Sequence, residues 1–394
     1  MLDFTTALKT KMLLADGSMG ALLAKLGYGT PCPDELTVTK PDVISSVHEA
    51  YVKAGADIVI ADCFGSAAPV LAHKGRVGKT AEFTAAAVKL ARAQAGEDRF
   101  VACDMGPTGE FMVPVGSHSF DEVYGWFYEQ AVAGKEAGAD FAFIETQTDL
   151  AECRAACIAA KDAGLPVIAS FSLDNRGRTL TGAACEACAV VLEAAGADAV
   201  GINCSTGPDE MEANLLRMRK VTALPVSVEP NAGLPVTASD GSVSYPFTPE
   251  EMAESMKKLV AAGATVIGGC CGTTPEHIAL MKPLLSETPV SAYDGVTYVA
   301  SSRKIYALED ALEQIEEISD PEDAYDVDED TTMICVNADE FDEEMLLETA
   351  SATTLPICVK GSDPAKVSAL LRVYPGKAAY KGKANRTYGA IKID

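Results

Sequence analysis

Short apolar, often β-branched runs alternate with amphipathic stretches over the first 286 residues, and polar or glycine-containing turns join them. The runs predict eight strands: Met12–Asp16, Asp57–Asp62, Phe100–Asp104, Phe141–Glu145, Val167–Phe171, Ala199–Cys204, Val226–Glu229 and Thr265–Gly269. A helical pattern follows each one. Four of the helix-to-strand joints are nearly the same sequence: AGAD at Ala54–Asp57, Ala137–Asp140 and Ala195–Asp198, and AGAT at Ala262–Thr265. In each, the glycine is expected to end its helix in a left-handed cap, with a strand starting at once.

Near-continuous apolar strands that alternate with helices imply a parallel sheet covered on both faces. Eight units in this length match a closed (β/α)8 barrel of the TIM type. The competing reading, an open doubly wound sheet, usually carries a GxGxxG turn after its first strand. Here that position reads Asp16-Gly17-Ser18-Met19-Gly20, which does not fit. The expected fold class is therefore α/β: a (β/α)8 barrel over residues 1–289, with a small α/β appendage over 290–394. In the appendage an acidic helix is expected around Tyr306–Ile318. Two strand–helix pairs follow, Thr332–Asn337 with a helix to about Ala350, then Pro356–Lys360 with Asp363–Val373.

Barrels of this kind place their chemistry at the C-terminal strand ends. Those ends carry Asp16, Asp62 with Cys63, Asp104, Glu145, Ser170 with Ser172, Asn203 with Cys204, Glu229 with Asn231, and Cys270 with Cys271. The stretch VIGGCCGTTP, Val266–Pro275, sets two adjacent thiols on a strand-to-helix turn, since Thr and Pro there mark a helix start. Neighbouring side chains within a strand point to opposite faces, whereas a glycine-relaxed turn lets both face one point. Cys204, in GINCSTGP, ends strand six, which lies near strand eight around the ring. Three convergent thiols fit an open three-cysteine zinc site; inert buried thiols or a strained vicinal disulfide are the alternatives. Cys185 with Cys188 and Cys153 with Cys157 have helical spacing and read as core, as do Cys103, Cys335 and Cys358 within strands. With four histidines in the chain, a histidine-based triad has little to build on.

Composition narrows the partners. The chain has 394 residues, is 48% hydrophobic and carries a formal net charge of −25, which argues against nucleic acid and anionic membrane. The charge is uneven: between Lys304 and Lys360 there is no basic residue but eighteen acidic ones. Twelve cysteines without the dense spacing of a disulfide scaffold, no apolar run of roughly 18 residues, and no signal-like opening lead to a cytoplasmic expectation.

A zinc held by three thiolates keeps one position open. Being electron-rich, it is suited to holding a fourth thiol as thiolate, so alkyl transfer to a thiol is expected over hydrolysis. Backbone N–H groups of Asp16–Gly20, Gly17 and Ser18 among them, could hold a substrate carboxylate, with Asp16 and Glu145 for an ammonium; Asp16 reads equally as a helix N-cap. Without substrate, the side-chain oxygen of Asn231 or a water is expected to complete the zinc tetrahedron, unless Asn231 merely caps its own loop.

These motifs, LADGSMG, DMGPTG, FIETQTDL, GINCSTGP, EPNAGLP and GGCCGTTP, run in order from about Leu13 to Leu285. Together they resemble the zinc-dependent homocysteine S-methyltransferases, most closely the homocysteine-binding N-terminal module of cobalamin-dependent methionine synthases. The resemblance implies Cys204, Cys270 and Cys271 as zinc ligands and catalytic residues, and Asp16, Gly17 and Glu145 as contacts to the amino-acid end of homocysteine. It implies a methyl donor of the methylcobalamin or other corrinoid type, carried on a separate partner protein, because no cobalamin-binding segment is found in the chain. One departure stands out. Where the family commonly has Asn-Thr-Phe-Gly, this chain has Asp62-Cys63-Phe64-Gly65, so Asp62 either alters the thiol acceptor or replaces one amino-group contact. The alternatives are S-methylmethionine or betaine as donor, another small thiol as acceptor, and a non-catalytic assembly subunit. The tail faintly resembles a truncated pterin-binding remnant.

Overall fold

The computed structural model describes residues 2–237, 243–285 and 292–394. The expected boundary between residues 289 and 290 lies outside the described residues. Eight parallel strands form one sheet: β1 (Leu13–Leu14), β2 (Ile58–Ile60), β3 (Phe100–Met105), β4 (Phe141–Gln147), β5 (Val167–Phe171), β6 (Ala199–Asn203), β7 (Val226–Glu229) and β8 (Val266–Ile267). They pair in the order β1, β8, β7, β6, β5, β4, β3, β2. A bridge between Ala15 and Ile58 joins the two ends, so the sheet is the barrel the alternating pattern predicts. Around it run α1 (Pro41–Ala54), α2 (Thr80–Ala95), α3 (Phe120–Ala137), α4 (Leu150–Asp162), α5 (Cys185–Ala195), α6 (Pro208–Val221), α7 (Pro249–Ala261) and α8 (Pro275–Met281). β3 and β5 are buried along their whole lengths, as a strand covered on both faces requires.

The repeated joints do two things. Their glycines, Gly55, Gly138, Gly196 and Gly263, all have φ between 97° and 103°, the left-handed value that ends a helix and turns the chain back. Their aspartates then fasten the strand before. Asp57 accepts the Leu14 N–H at 3.1 Å, Asp140 the Val101 N–H at 2.7 Å and Asp198 the Val167 N–H at 2.8 Å. In the fourth joint Thr265 instead donates its hydroxyl to the Val226 carbonyl at 3.0 Å. Each aspartate satisfies a backbone N–H at the start of a strand, whereas the threonine adds a second bond to a carbonyl that already accepts the Thr265 N–H at 2.8 Å.

A feature absent from the sequence reading closes the other end of the barrel. A helix at Phe4–Thr10, capped by Asp3, sets the Phe4 ring 3.8 Å from that of Phe141 and nearly parallel to it, with Phe100 edge-on at 5.2 Å. The N-terminal strand ends are thereby plugged, leaving the opposite rim as the way in.

The C-terminal region begins with an antiparallel pair, β9 (Tyr298–Ala300) and β10 (Ile305–Ala307). A five-stranded parallel sheet follows: β11 (Ile315–Glu317), β12 (Met333–Asn337), β13 (Ile357–Lys360), β14 (Ala379–Tyr380) and β15 (Ile391–Lys392). The helices α9 (Glu343–Ala352) and α10 (Pro364–Val373) lie where the two strand–helix pairs are expected. The acidic helix expected at Tyr306–Ile318 does not form. That segment is β10, a single helical turn at Leu308–Ala311, and β11. Ile318 is buried and Ile315 half-buried while Glu317 stays exposed, and β11 is an edge strand, where charge blocks further pairing.

This region is docked on the barrel through Arg154 of α4. The residue is 2% exposed, and its guanidinium donates to the carbonyls of Leu371, at 2.8 Å, and Arg372, in the last turn of α10. A cation there also meets the negative end of that helix. Arg386 pairs with Asp162 at 2.8 Å across the same junction. Arg154→Ala removes the donors and leaves a cavity, an expected cost of about 2–4 kcal/mol, read as a lower urea midpoint at unchanged m-value.

Candidate active site

The strand ends of β1, β2, β3, β4, β6 and β8 surround one cavity of about 300 Å³, the low end for small-ligand sites. Its wall includes Asp16, Gly17, Ser18, Asp62, Asp104, Glu145, Cys204, Cys270 and Cys271. The three thiols, Asp16, Gly17, Ser18, Asp62, Asp104 and Glu145 are thus brought together, whereas the other strand-end candidates, Cys63, Ser170, Ser172, Asn203, Glu229 and Asn231, do not line the cavity. Asn231 is buried behind the wall, where its side-chain oxygen accepts the Cys271 N–H at 3.1 Å. That bond fixes the turn that presents the thiols.

The three thiols converge from two strand ends. Their sulfur atoms all lie within 4.8 Å of one another, and Cys204 Sγ is 3.9 Å from Cys271 Sγ. Three sulfurs on a tetrahedral zinc, with Zn–S bonds of about 2.3 Å, sit about 3.8 Å apart, so the donor set fits that ion. Cys204 reaches the cluster because it leaves β6 with φ 58°, followed by Ser205 at 51°, a left-handed path that non-glycine residues take only when the surroundings impose it. Cys270 and Cys271 are held by backbone bonds, Cys270 N–H to the Pro230 carbonyl at 2.9 Å and Ala232 N–H to the Cys271 carbonyl at 3.0 Å. Hydrogen bonds from Cys204 and Cys270, with the Tyr245 hydroxyl adding to them, hold the Cys271 thiol well below its usual range. The same sharing, with burial, pushes Cys270 up. Even alone, the three sulfurs favour one thiolate among them.

Opposite them lies the Asp16 loop. Asp16 accepts the Ile60 N–H on one oxygen at 3.0 Å, and its other oxygen has no partner. Gly17 can only be glycine: an added Cβ would lie 2.7 Å from the Thr273 hydroxyl and 3.0 Å from the Tyr51 ring. Ser18 donates its N–H to Thr273 at 3.1 Å and caps the short helix Met19–Lys25 with its hydroxyl, so both groups maintain the loop. Thr273 also donates to the Cys270 carbonyl at 2.7 Å, tying the loop to the thiol turn. Tyr51, from α1, donates to the Ser18 carbonyl at 3.0 Å. Thr273 and Tyr51 were not among the strand-end candidates, and Tyr51 has no sequence signal because it reaches the site from a surrounding helix.

The cavity is acidic. Four carboxyl groups line it, and no Lys, Arg or His is found among the described residues of its wall. Asp62 is 7% exposed and Asp104 5%, and each has one oxygen without a partner. Burial pushes Asp62 up to about 8, with the nearby Asp34 adding to it, and Glu145 up to about 8, with Cys271 adding. Burial, reinforced by Glu145, holds Asp16 and Asp104 well above the usual carboxylate range. Such a wall is neutral by itself and becomes anionic against a cationic group.

Among the described residues no helix is long and apolar enough to cross a membrane. The model of the homocysteine S-methyltransferase family matches residues 13–285. Methionine synthase of Mycobacterium leprae is 33% identical over 296 residues, and that of Mycobacterium tuberculosis 32%; the alignments take in 70% of this chain but only 24% and 25% of those proteins. The chain therefore spans about a quarter of the length of these relatives. The Escherichia coli homocysteine methyltransferase MmuM is similar in structure in its metallated form, with a TM-score of 0.58 at 26% identity, over 69% of this chain and 96% of that one.

A buried carboxyl with a raised pKa has its full stabilising effect below its unfolded value, near 4, and loses it as pH rises through the folded value. The metal-free, substrate-free protein is thus expected to lose stability between about pH 4 and pH 8. Asp62→Asn removes one such group. Its melting temperature should exceed the wild type's by several degrees at pH 8 and by much less at pH 5; equal differences at both pH values would show that Asp62 does not titrate in this window.

Proposed function

The chain belongs to the homocysteine S-methyltransferase family, and on that premise we propose that it methylates the thiol of homocysteine to give methionine, with zinc held by Cys204, Cys270 and Cys271. The observation that carries the reading is the thiol cluster, with its three sulfurs within 4.8 Å of one another, in one wall with Asp16 and Glu145. Zinc bound there supplies a position at which a fourth thiol is deprotonated at neutral pH while its sulfur stays nucleophilic. The chain's own residues do the rest. Asp16 and Glu145 take the substrate ammonium, which returns their raised carboxyls to the charged form. Gly17 lets the backbone approach, and Asn231 keeps the Cys271 turn in place through its N–H. The plug at Phe4 leaves the rim as the route for both thiol and donor.

The proposed donor is a methyl-corrinoid, such as methylcobalamin, on a separate protein. Supporting it, large apolar side chains stand exposed on the loops after several strands: Leu26 after β1, Val77 after β2, Val115 after β3, Leu180 after β5, and Leu234 and Val236 after β7. Topology puts all of these loops at the C-terminal end of the barrel, the end on which the cavity opens. A second reading changes the acceptor: the unpartnered oxygen of Asp62 favours a small thiol with more cationic character than homocysteine. S-methylmethionine or betaine as donor remains the alternative for a site closed to a large partner. The non-catalytic reading has no support in a chain that keeps the family's thiol cluster intact.

Zinc-replete protein given homocysteine and methylcobalamin should form methionine, and chelator-stripped protein should not. Cys204→Ala, Cys270→Ala and Cys271→Ala should each weaken zinc binding by more than the roughly 100-fold that loss of an outer-shell partner costs, with far-ultraviolet dichroism unchanged because the metal lies at the rim of a large core. Methylation from a sulfonium or betaine but from no corrinoid would reverse the donor assignment. Leu180→Glu with Val115→Glu should lower kcat/KM about tenfold or more with a methyl-corrinoid protein and leave transfer from free methylcobalamin unchanged. Equal loss with both donors would remove the rim as a docking face.

A further inference from the structure

Asn203, the last residue of β6, is fully buried and directly precedes Cys204. Its amide makes every hydrogen bond it can make. The nitrogen donates to Glu145 Oε2 at 3.0 Å and to the Thr146 hydroxyl at 2.7 Å. The oxygen accepts the Thr146 N–H at 2.8 Å and the Ser170 hydroxyl at 2.5 Å. One side chain thus binds the ends of β4 and β5 from β6.

The bonds to β4 fall at an irregular place. The pairing of β4 with β5 shifts register between Ile144 and Gln147, so Glu145 and Thr146 drop out of the ladder, and Thr146 takes φ 58°. A bulge of this kind re-aims a side chain but leaves backbone groups without ladder partners. Asn203 supplies the missing acceptor for Thr146 and orients the Glu145 carboxyl into the cavity. On its own strand it stands beside the other left-handed segment, Cys204 and Ser205. The amide therefore links the irregular turn of β4, which carries the group for the substrate's amino end, to the residue directly before the second turn, which carries a thiol of the metal cluster.

We infer that Asn203 is a positioning residue that fixes the separation between Glu145 and Cys204, so that a thiol of matching length engages both at once. This rests on the proposed thiol-binding role of the site. It identifies what makes the two halves of the site act as a unit.

The test pairs a variant with a truncated ligand. Homocysteine and 4-mercaptobutyrate, which lacks only the amino group, are titrated calorimetrically into zinc-replete wild type and Asn203→Ala, with zinc content measured in each. Expected are unchanged zinc, homocysteine weakened about tenfold or more, and 4-mercaptobutyrate weakened less than about twofold, a coupling between residue and amino group. Asn203→Leu, similar in size but with no group to donate to Glu145, should show the same selective loss and covers the case in which the alanine variant does not fold. Ser170→Ala, which removes the one bond that does not reach β4, should leave both affinities unchanged. Equal weakening of both thiols, or loss of zinc, would make Asn203 merely structural and overturn the inference. Wild type that binds neither thiol would overturn the proposed function as well, a result that no variant is needed to see.

Discussion

Closure of the barrel between its first and second strands is the constraint on which the site depends. The join is short: one bridge at Ala15 and Ile58, the Asp57 N–H on the Leu14 carbonyl at 2.7 Å with the Leu14 N–H returned to the Asp57 carboxylate at 3.1 Å, and the Ile60 N–H on the Asp16 carboxylate at 3.0 Å. The last of these uses a side chain of the site as part of the wall. Asp16 is therefore shared, one oxygen completing the sheet and the other buried in the cavity wall without a partner. Because closure puts every C-terminal strand end on one rim, residues more than 250 positions apart in the chain, such as Ser18 and Thr273, come within hydrogen-bonding distance.

The rim is built against local preference. Thr146, Cys204 and Ser205 occupy left-handed backbone without being glycine, and Asp16, Asp62, Asp104 and Glu229 each bury a carboxyl oxygen with no partner. Such features cost stability and persist where the surroundings over-determine them. The surroundings here are the repeated aspartate joints, the aromatic plug and the continuous core beneath the rim, all of them at or below the middle of the barrel. Stability is concentrated at one end and chemistry at the other, the usual division in this fold.

The C-terminal region follows a different plan. Its parallel sheet carries acidic residues on its edge and exposed surface, while its contact with the barrel is made by cations, Arg154, Arg372 and Arg386, against helix-end carbonyls and acidic side chains. Arg372 also lies over the rings of Phe120 and Tyr124 on α3. Between Lys304 and Lys360 eighteen acidic residues stand without a basic one, and the junction draws its three arginines from outside that block.

What the sequence determined by itself was whatever repeats or depends on near neighbours. Alternating apolar runs specified eight strands and a parallel sheet, the three AGAD joints and the AGAT joint specified four left-handed glycines, and strand-end position picked out Asp16, Asp62, Asp104, Glu145 and the three thiols. Periodicity and turn chemistry act within a few residues, so they can be read along the chain. Tertiary structure alone decided the rest. The Phe4 plug, the Tyr51 and Thr273 supports and the Asn203 hinge each depend on partners brought in from other strands or helices. Asn231 sits against the Cys271 N–H because the β8 turn passes beside it, and the acidic segment pairs as an edge strand because β12 offers it free backbone groups. A residue's local pattern fixes which element it joins; which group it faces is set only when the barrel closes and the second sheet docks.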